Sequence, residues 1–258
     1  MRKLRFLYRT ILKFDTPVRG HSFAIRCIPP TNQVQRVNIE ERYVTPADCI
    51  NEVMDGFGNL RYVGRINDYH TGFEYGVRGT AVVQSMQVQK ESLHGMYKYP
   101  SAFTGFAPSI RAFYESLSVP ETDALSRAVF LMHALYDAMQ YEPGSTSIYT
   151  TAGEAFEKRK GVCQDYAHIL IVLCKMAGIP ARYVVGMMIG EGYTHAWVEI
   201  YTGEGWYGLD PTNNLHIDDY YIKIAHGRDY ADCIVDRGIF NGFTNQEQEI
   251  IVSVEEIS

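Results

Sequence analysis

Cys163-Gln164-Asp165-Tyr166-Ala167-His168-Ile169-Leu170-Ile171-Val172-Leu173-Cys174-Lys175-Met176-Ala177, followed at once by Gly178-Ile179-Pro180, reads as one helix and its stop. Gly178 stands where a left-handed C-terminal cap places glycine, and Pro180 cannot continue a helix because its nitrogen carries no hydrogen. Gly161-Val162 precede the run, so Cys163 falls in the first turn. There the unpaired backbone N–H groups and the helix dipole favour an anion, which raises a thiol's thiolate fraction and offers donors to a developing oxyanion. The competing reading is packing. Ala167, Leu170 and Leu173 follow the cysteine, and free cysteine is among the most buried residue types.

Beyond the stop, residues 182–188, 195–201 and 206–210 read as strands, split by Gly190-Glu191-Gly192 and Gly203-Glu204-Gly205. Helices followed by an antiparallel sheet make an α+β domain. His195 opens the second strand and Asp210 closes the third, and the two are equidistant from Thr202-Gly203. A hairpin turning there sets them directly opposite, with Cβ atoms roughly 4.5–5.5 Å apart, close enough for the carboxylate to orient the imidazole. A slip of one residue puts them on opposite faces, so the symmetry is a constraint. A histidine alone at a strand start is ordinarily a satisfied polar residue; the partner is what singles it out.

On the N-terminal side, Ser118-Val119-Pro120-Glu121 has the pattern of a capped helix start, and Leu125, Ala128, Val129, Met132, Leu135, Tyr136 and Met139 mark one helical face after it. The first hundred residues differ. Phe23, Ile25 and Cys27 alternate with smaller or polar neighbours up to Pro29-Pro30, Asp55-Gly56-Phe57-Gly58-Asn59 is a turn cluster, and Phe73, Tyr75 and Val77 alternate again. The predicted organisation is an antiparallel, sandwich-like β-module over 1–105 and an α+β core over 106–258.

The 258 residues carry 30 acidic and 24 basic side chains, a net charge of −6 without basic blocks, which argues against nucleic-acid and anionic-membrane partners. No apolar run approaches the ~18 residues of a membrane span. The basic opening Met1-Arg2-Lys3 leads to no uninterrupted apolar stretch, because Arg9 and Lys13 break it, and is read as mature protein. The five cysteines are odd in number and widely spaced, without a Cys-x-x-Cys pair. Neither a disulfide framework, a metal site nor a cofactor is expected, and a reducing cytoplasm is the default setting.

Four ordered blocks carry a family resemblance. Lys160 to His168, Gly178-Ile179-Pro180-Ala181-Arg182-Tyr183-Val184, Thr194-His195-Ala196-Trp197-Val198-Glu199 and Trp206-Tyr207-Gly208-Leu209-Asp210-Pro211-Thr212 resemble the bacterial transglutaminase-like superfamily. Gly227-Arg228-Asp229-Tyr230-Ala231-Asp232 resembles the stretch that follows the aspartate in those proteins, and the β-rich start their N-terminal region. The resemblance implies a papain-like core with a triad of Cys163, His195 and Asp210. The implied chemistry is attack by the Cys163 thiolate on a peptide or carboxamide carbonyl, with His195 as base and then acid. The thioester then passes to water, the leading expectation for a cysteine peptidase or amidase, or to an amine, as in a transglutaminase. From a different class comes a groove that binds peptide without turnover. Asp165 is read as a carboxylate at the helix start, Gln164 as a weaker oxyanion donor than the backbone, and Arg182 as an ion-pair member. His168 is read as structural, Trp197 and Trp206 as core or cleft-wall aromatics, and His21, His70 and His94 lack ligand spacing. No calcium-loop pattern appears.

Overall fold

The computed structural model describes residues 1–84 and 88–257. Strand β1 (Arg2–Ile25) organises the first part of the chain. Its buried residues Leu4, Phe6, Tyr8, Thr10, Leu12 and Phe14 recur every second position, the period of a strand with one covered face. Four strands follow: β2 (Gln35–Thr45), β3 (Cys49–Met54), β4 (Leu60–Ile66) and β5 (His70–Val83). The first half of β1 pairs with β5, and β5 with β2; beyond an irregularity between Lys13 and Val18 the second half pairs with β4, and β4 with β3. The Asp55 to Asn59 cluster makes the β3–β4 turn as read from sequence. Asp55 Oδ1 accepts from the N–H groups of Phe57 at 2.9 Å and Asn59 at 3.0 Å.

Four helices come next: α1 (Pro108–Ser116), α2 (Ala124–Ala138), α3 (Ala152–Lys158) and α4 (Cys163–Met176). Helix α2 begins later than the Ser118 pattern predicts. Its cap is Asp123, which accepts from Ser126 N at 3.0 Å and from Ser126 Oγ at 2.7 Å, a pair of bonds that leaves Ser118 to Thr122 as connection. The short ladder of β6 (Gln140–Tyr141) with β7 (Lys160–Gly161) runs into α4 and sets Tyr141 beside Gly161. Helix α4 ends where the sequence indicates, with Gly178 at φ +73°. It packs against α2 and α3 on one side and the sheet on the other. Each fully buried leucine or isoleucine on it contributes roughly 1.5–3 kcal/mol, so tertiary packing rather than local propensity holds this helix.

The core sheet has the order β12-β11-β10-β8-β13, formed by β8 (Ala181–Met188), β10 (His195–Tyr201), β11 (Trp206–Asp210), β12 (Leu215–His216) and β13 (Tyr221–Gly227). The remaining elements are β9 (Gly190–Gly192), α5 (Tyr230–Cys233), β14 (Asp236–Asn241) and β15 (Gln246–Glu256). These correct the expected split at residue 105. Strand β15 lies along β1 from Leu4↔Glu256 to Phe14↔Gln246, β14 pairs with the far half of β1, and β9 pairs with β15. One antiparallel sheet is thus built from both ends of the chain. Val252 and Val254 stand across from Tyr8 and Phe6 and extend the buried face of β1; periodicity states that a strand is half-buried but not which sheet it joins. Among the described residues no helix is long and apolar enough to cross a membrane.

Candidate active site

The start of α4 is set by Asp165, whose carboxylate folds back over its own first turn. Oδ2 accepts from Val162 N at 2.8 Å and from Thr146 Oγ1 at 2.6 Å. Gly161 is required for this, since a Cβ there would lie 2.7 Å from both Cβ and Oδ2 of Asp165. Burial holds the Asp165 carboxyl above its ordinary range, against those hydrogen bonds. The Cys163 N–H remains among the helix-start donors with no intrahelical acceptor. Gln164 also lines the cleft, and its Nε2 donates to the Ile148 carbonyl at 3.3 Å.

His195 comes from β10, the central strand of the core sheet. The β10–β11 register is Tyr201↔Trp206, Ile200↔Tyr207, Glu199↔Gly208 and Val198↔Leu209, so the loop is 202–205 rather than a turn centred on Thr202-Gly203. Thr202 N donates to Gly205 O at 2.9 Å, and Gly203 takes φ +98° to close the loop. Extending this register sets Asp210 across from Trp197 and diagonal to His195. The direct opposition expected from the numbering is therefore displaced by two residues. An even displacement keeps both side chains on one face, and long side chains bridge a diagonal pair. His195 Nε2 lies 2.7 Å from Asp210 Oδ2.

Asp210 has 0% of its surface exposed, and both of its oxygens are occupied. Oδ2 also accepts from Asn213 Nδ2 at 2.8 Å and Tyr221 Oη at 2.9 Å, while Oδ1 accepts from the N–H groups of Thr212 at 2.9 Å and Asn213 at 3.2 Å. Burial opposes ionisation of this carboxyl, but His195 and the Asn213 donors outweigh it and hold its pKa below the usual range. Burial likewise pushes the His195 imidazole down. The Asp210 carboxylate, bonded at 2.7 Å, and the neighbouring Cys163 outweigh that and raise it to about 10. With Nε2 on Asp210, Nδ1 is the nitrogen left for the thiol. The fold thus brings the three residues singled out in the sequence to one place: a thiol at a helix start and an imidazole that line the same cleft, and a fixed carboxylate behind the ring.

Cys163 and His195 open onto a cleft of about 690 Å³. Sequence reasoning missed most of its walls. Tyr141 is placed there by the β6–β7 ladder, and Tyr8, Phe14 and Phe73 reach it from the N-terminal sheet. The signal was present in the alternating aromatics of β1 and β5, but their face had no known neighbour. The residues read as structural sit elsewhere. Arg182, 1% exposed, donates to Glu199 Oε2 at 2.6 Å and Glu91 Oε2 at 2.8 Å, and Lys223 Nζ reaches Glu199 at 2.7 Å. Trp206 lies under the Arg182 guanidinium, and Trp197 packs on Tyr221. His168 is buried and its Nε2 accepts from Tyr230 N at 3.1 Å. Asp229 accepts from Ala231 N at 2.9 Å and Phe103 N at 3.1 Å, tying α5 to the loop before α1. His21 and His70 stack with ring centroids 5.4 Å apart, a pairing that their spacing in sequence does not suggest.

A helix-start cysteine and a histidine–aspartate pair on an antiparallel sheet thus open onto one cleft. Residues 111–211 match the transglutaminase-like superfamily, and residues 4–82 match the bacterial transglutaminase-like N-terminal region. The chain belongs to the transglutaminase-like superfamily. It is 25% identical over 283 aligned positions to an uncharacterised protein of Mycobacterium leprae (strain TN), covering 100% of both chains. It is 39% identical over 142 residues to an uncharacterised protein of Mycobacterium tuberculosis (strain H37Rv), where the match covers 48% of this chain and 45% of that one. A protein-glutamine gamma-glutamyltransferase of Pseudomonas aeruginosa is 34% identical over 102 residues, covering 32% of this chain and 15% of the relative. Among solved structures, a candidate cysteine protease from Cytophaga hutchinsonii superposes with a TM-score of 0.79 at 25% identity, over 100% of this chain and 91% of the other.

Proposed function

We propose that this protein is a cysteine-dependent acyl-transfer enzyme whose principal outcome is hydrolysis of a peptide or carboxamide bond. The observation that carries the reading is the His195–Asp210 pair, bonded at 2.7 Å, opening with Cys163 onto one cleft. The Cys163 thiolate attacks the carbonyl carbon, and the oxyanion that forms takes the Cys163 backbone N–H at the helix start. His195 Nδ1–H gives its proton to the departing amine as the C–N bond breaks, leaving a thioester on Cys163. Neutral His195 then takes a proton from water as the water oxygen attacks. Collapse of that intermediate breaks the C–S bond and releases the acid, and the thiolate and imidazolium are restored. Asp210 holds the tautomer and the charge throughout.

Transfer to an amine is the second reading, favoured by the likeness of a third of the chain to the Pseudomonas aeruginosa glutamyltransferase. Incubating the protein with a glutamine-containing peptide, with and without a primary amine, separates the two. Acid product supports hydrolysis and amide product supports transfer. No product from any peptide tested leaves a non-catalytic peptide-binding groove and overturns both. All five cysteines are free thiols, which fits a reducing, cytoplasmic setting. Recovery of the protein from an exported fraction of its host would count against that placement.

A further inference from the structure

Asp236 opens β14, across from Ile25 of β1, and its carboxylate faces the same cleft as Cys163. Asp236 is half-buried, and a carboxylate partly withdrawn from water gains from a cation or several donors that satisfy it. Around Asp236 the donors are few: Gln248 Nε2 stands 3.4 Å from Oδ2, and the Tyr75 hydroxyl lies beside it. Among the described residues that line the cleft there is no lysine or arginine, and Asp236 is the only carboxylate. Burial accordingly lifts its carboxyl to about 6, so that it is ionised at neutral pH without a counter-charge from the protein. The same cleft is lined by the partly exposed rings of Tyr230 and Phe240, with Tyr8 and Phe73 buried behind them, and aromatic π faces attract cations. His21, which lines the same wall, is held neutral by burial and by His70, its pKa lowered to about 4.

We propose that Asp236 and the aromatic residues around it form a subsite for an organic cation on an apolar stem, the ammonium end of a lysine-like side chain of the substrate. The inference rests on the reading that this cleft receives the substrate, and it names the chemical class the cleft selects. The group bound at Asp236 stays a charged ammonium, so it is a recognition element of the substrate and not the amine that would attack the thioester.

The test uses the intact protein and needs no turnover. The rate at which iodoacetamide alkylates Cys163 is followed by mass spectrometry in the presence of n-pentylamine or its neutral counterpart n-pentanol. The same series is run on Asp236→Asn, each variant being read against its own unliganded rate. The expected result is that pentylammonium slows alkylation where the alcohol does not, with about tenfold weaker protection in Asp236→Asn, the loss expected of one charge-assisted contact. Equal protection by the alcohol, no protection by the amine, or an unchanged effect in a folded Asp236→Asn overturns the subsite. If that variant does not fold, the amine–alcohol comparison on the parent protein decides alone. Protection by the amine in a protein that turns over no peptide would sink the acyl-transfer reading and leave the subsite standing. Turnover without cation protection would do the reverse.

Discussion

His195 Nε2 is bonded to Asp210 Oδ2 at 2.7 Å across a diagonal of the β10–β11 hairpin, and Asp210 takes four further hydrogen bonds around that contact. Every lone-pair direction of the carboxylate faces a donor. In Asp210→Asn the amide NH₂ must point at one of those donors, so the substitution disturbs both the imidazole and the cage. Turnover of peptide substrate is expected to fall by roughly four orders of magnitude, as when a triad loses its orienting carboxylate. Stability should also fall, by about 1–3 kcal/mol for the unsatisfied donors. Steady-state kinetics and urea unfolding of the same sample read the two; an unchanged rate in a folded variant would contradict the role given to Asp210.

Thiol reactivity should be concentrated at Cys163. Burial raises the Cys27 and Cys174 thiols to about 12 and Cys233 well above its ordinary value. Cys49 is exposed on β3 and is the competitor. Brief iodoacetamide treatment at neutral pH, read by mass spectrometry, should modify Cys163 before Cys49, because Cys163 opens onto the cleft at a helix start beside the His195 imidazole. Cys163→Ala should lose turnover altogether with little change in melting temperature, since only one small half-buried group is removed. Faster labelling of Cys49 would contradict the expected activation.

The His195 charge links this site to stability. Its folded pKa, raised to about 10, lies above the ordinary histidine value near 6.5. The stabilisation is therefore fully present below about pH 6.5 and is lost as pH rises through about 10. Melting temperatures of the parent protein and His195→Gln, compared between pH 6.5 and 10, should converge toward the alkaline end. A difference that does not change across that window would mean that the imidazole is neutral in the folded protein.

Glu199 ties Arg182 and Lys223 together in a buried network away from the cleft. Burial disfavours its charge, but the two cations outweigh that and hold its pKa at about 2. Its stabilisation is present above the ordinary glutamate value near 4.3 and is lost as pH falls through about 2. Glu199→Gln leaves two buried cations short of a partner and should cost about 3–5 kcal/mol in chemical unfolding at neutral pH. A loss below 1 kcal/mol would show that Glu91 alone neutralises the pair.

The sequence was most legible where the determinants are local. The span of α4 followed from a helical run bounded by Gly161-Val162 and Gly178-Ile179-Pro180, and the three strands after it from apolar segments separated by glycines. The start of α2 was misread because Ser118 and Asp123 are both competent caps, and only the path of the connecting chain selects between them. The hairpin register was misread by two residues because the numbering does not fix loop length. The pairing face survived because the displacement was even.

Taken by itself, the sequence determined the thiol at a helix start, the histidine and aspartate on one face of a hairpin, and the class of protein in which such a set recurs. These depend on short-range periodicity, caps and turns. Only the tertiary structure decided that the C-terminal strands return to β1, that the aromatic face of β1 and β5 walls the cleft, and that Asp236 stands there without a counter-ion. Those arrangements join residues more than 200 positions apart, such as Leu4 with Glu256. They are set by which apolar faces cover one another when the whole chain packs, a choice that no local window of residues contains.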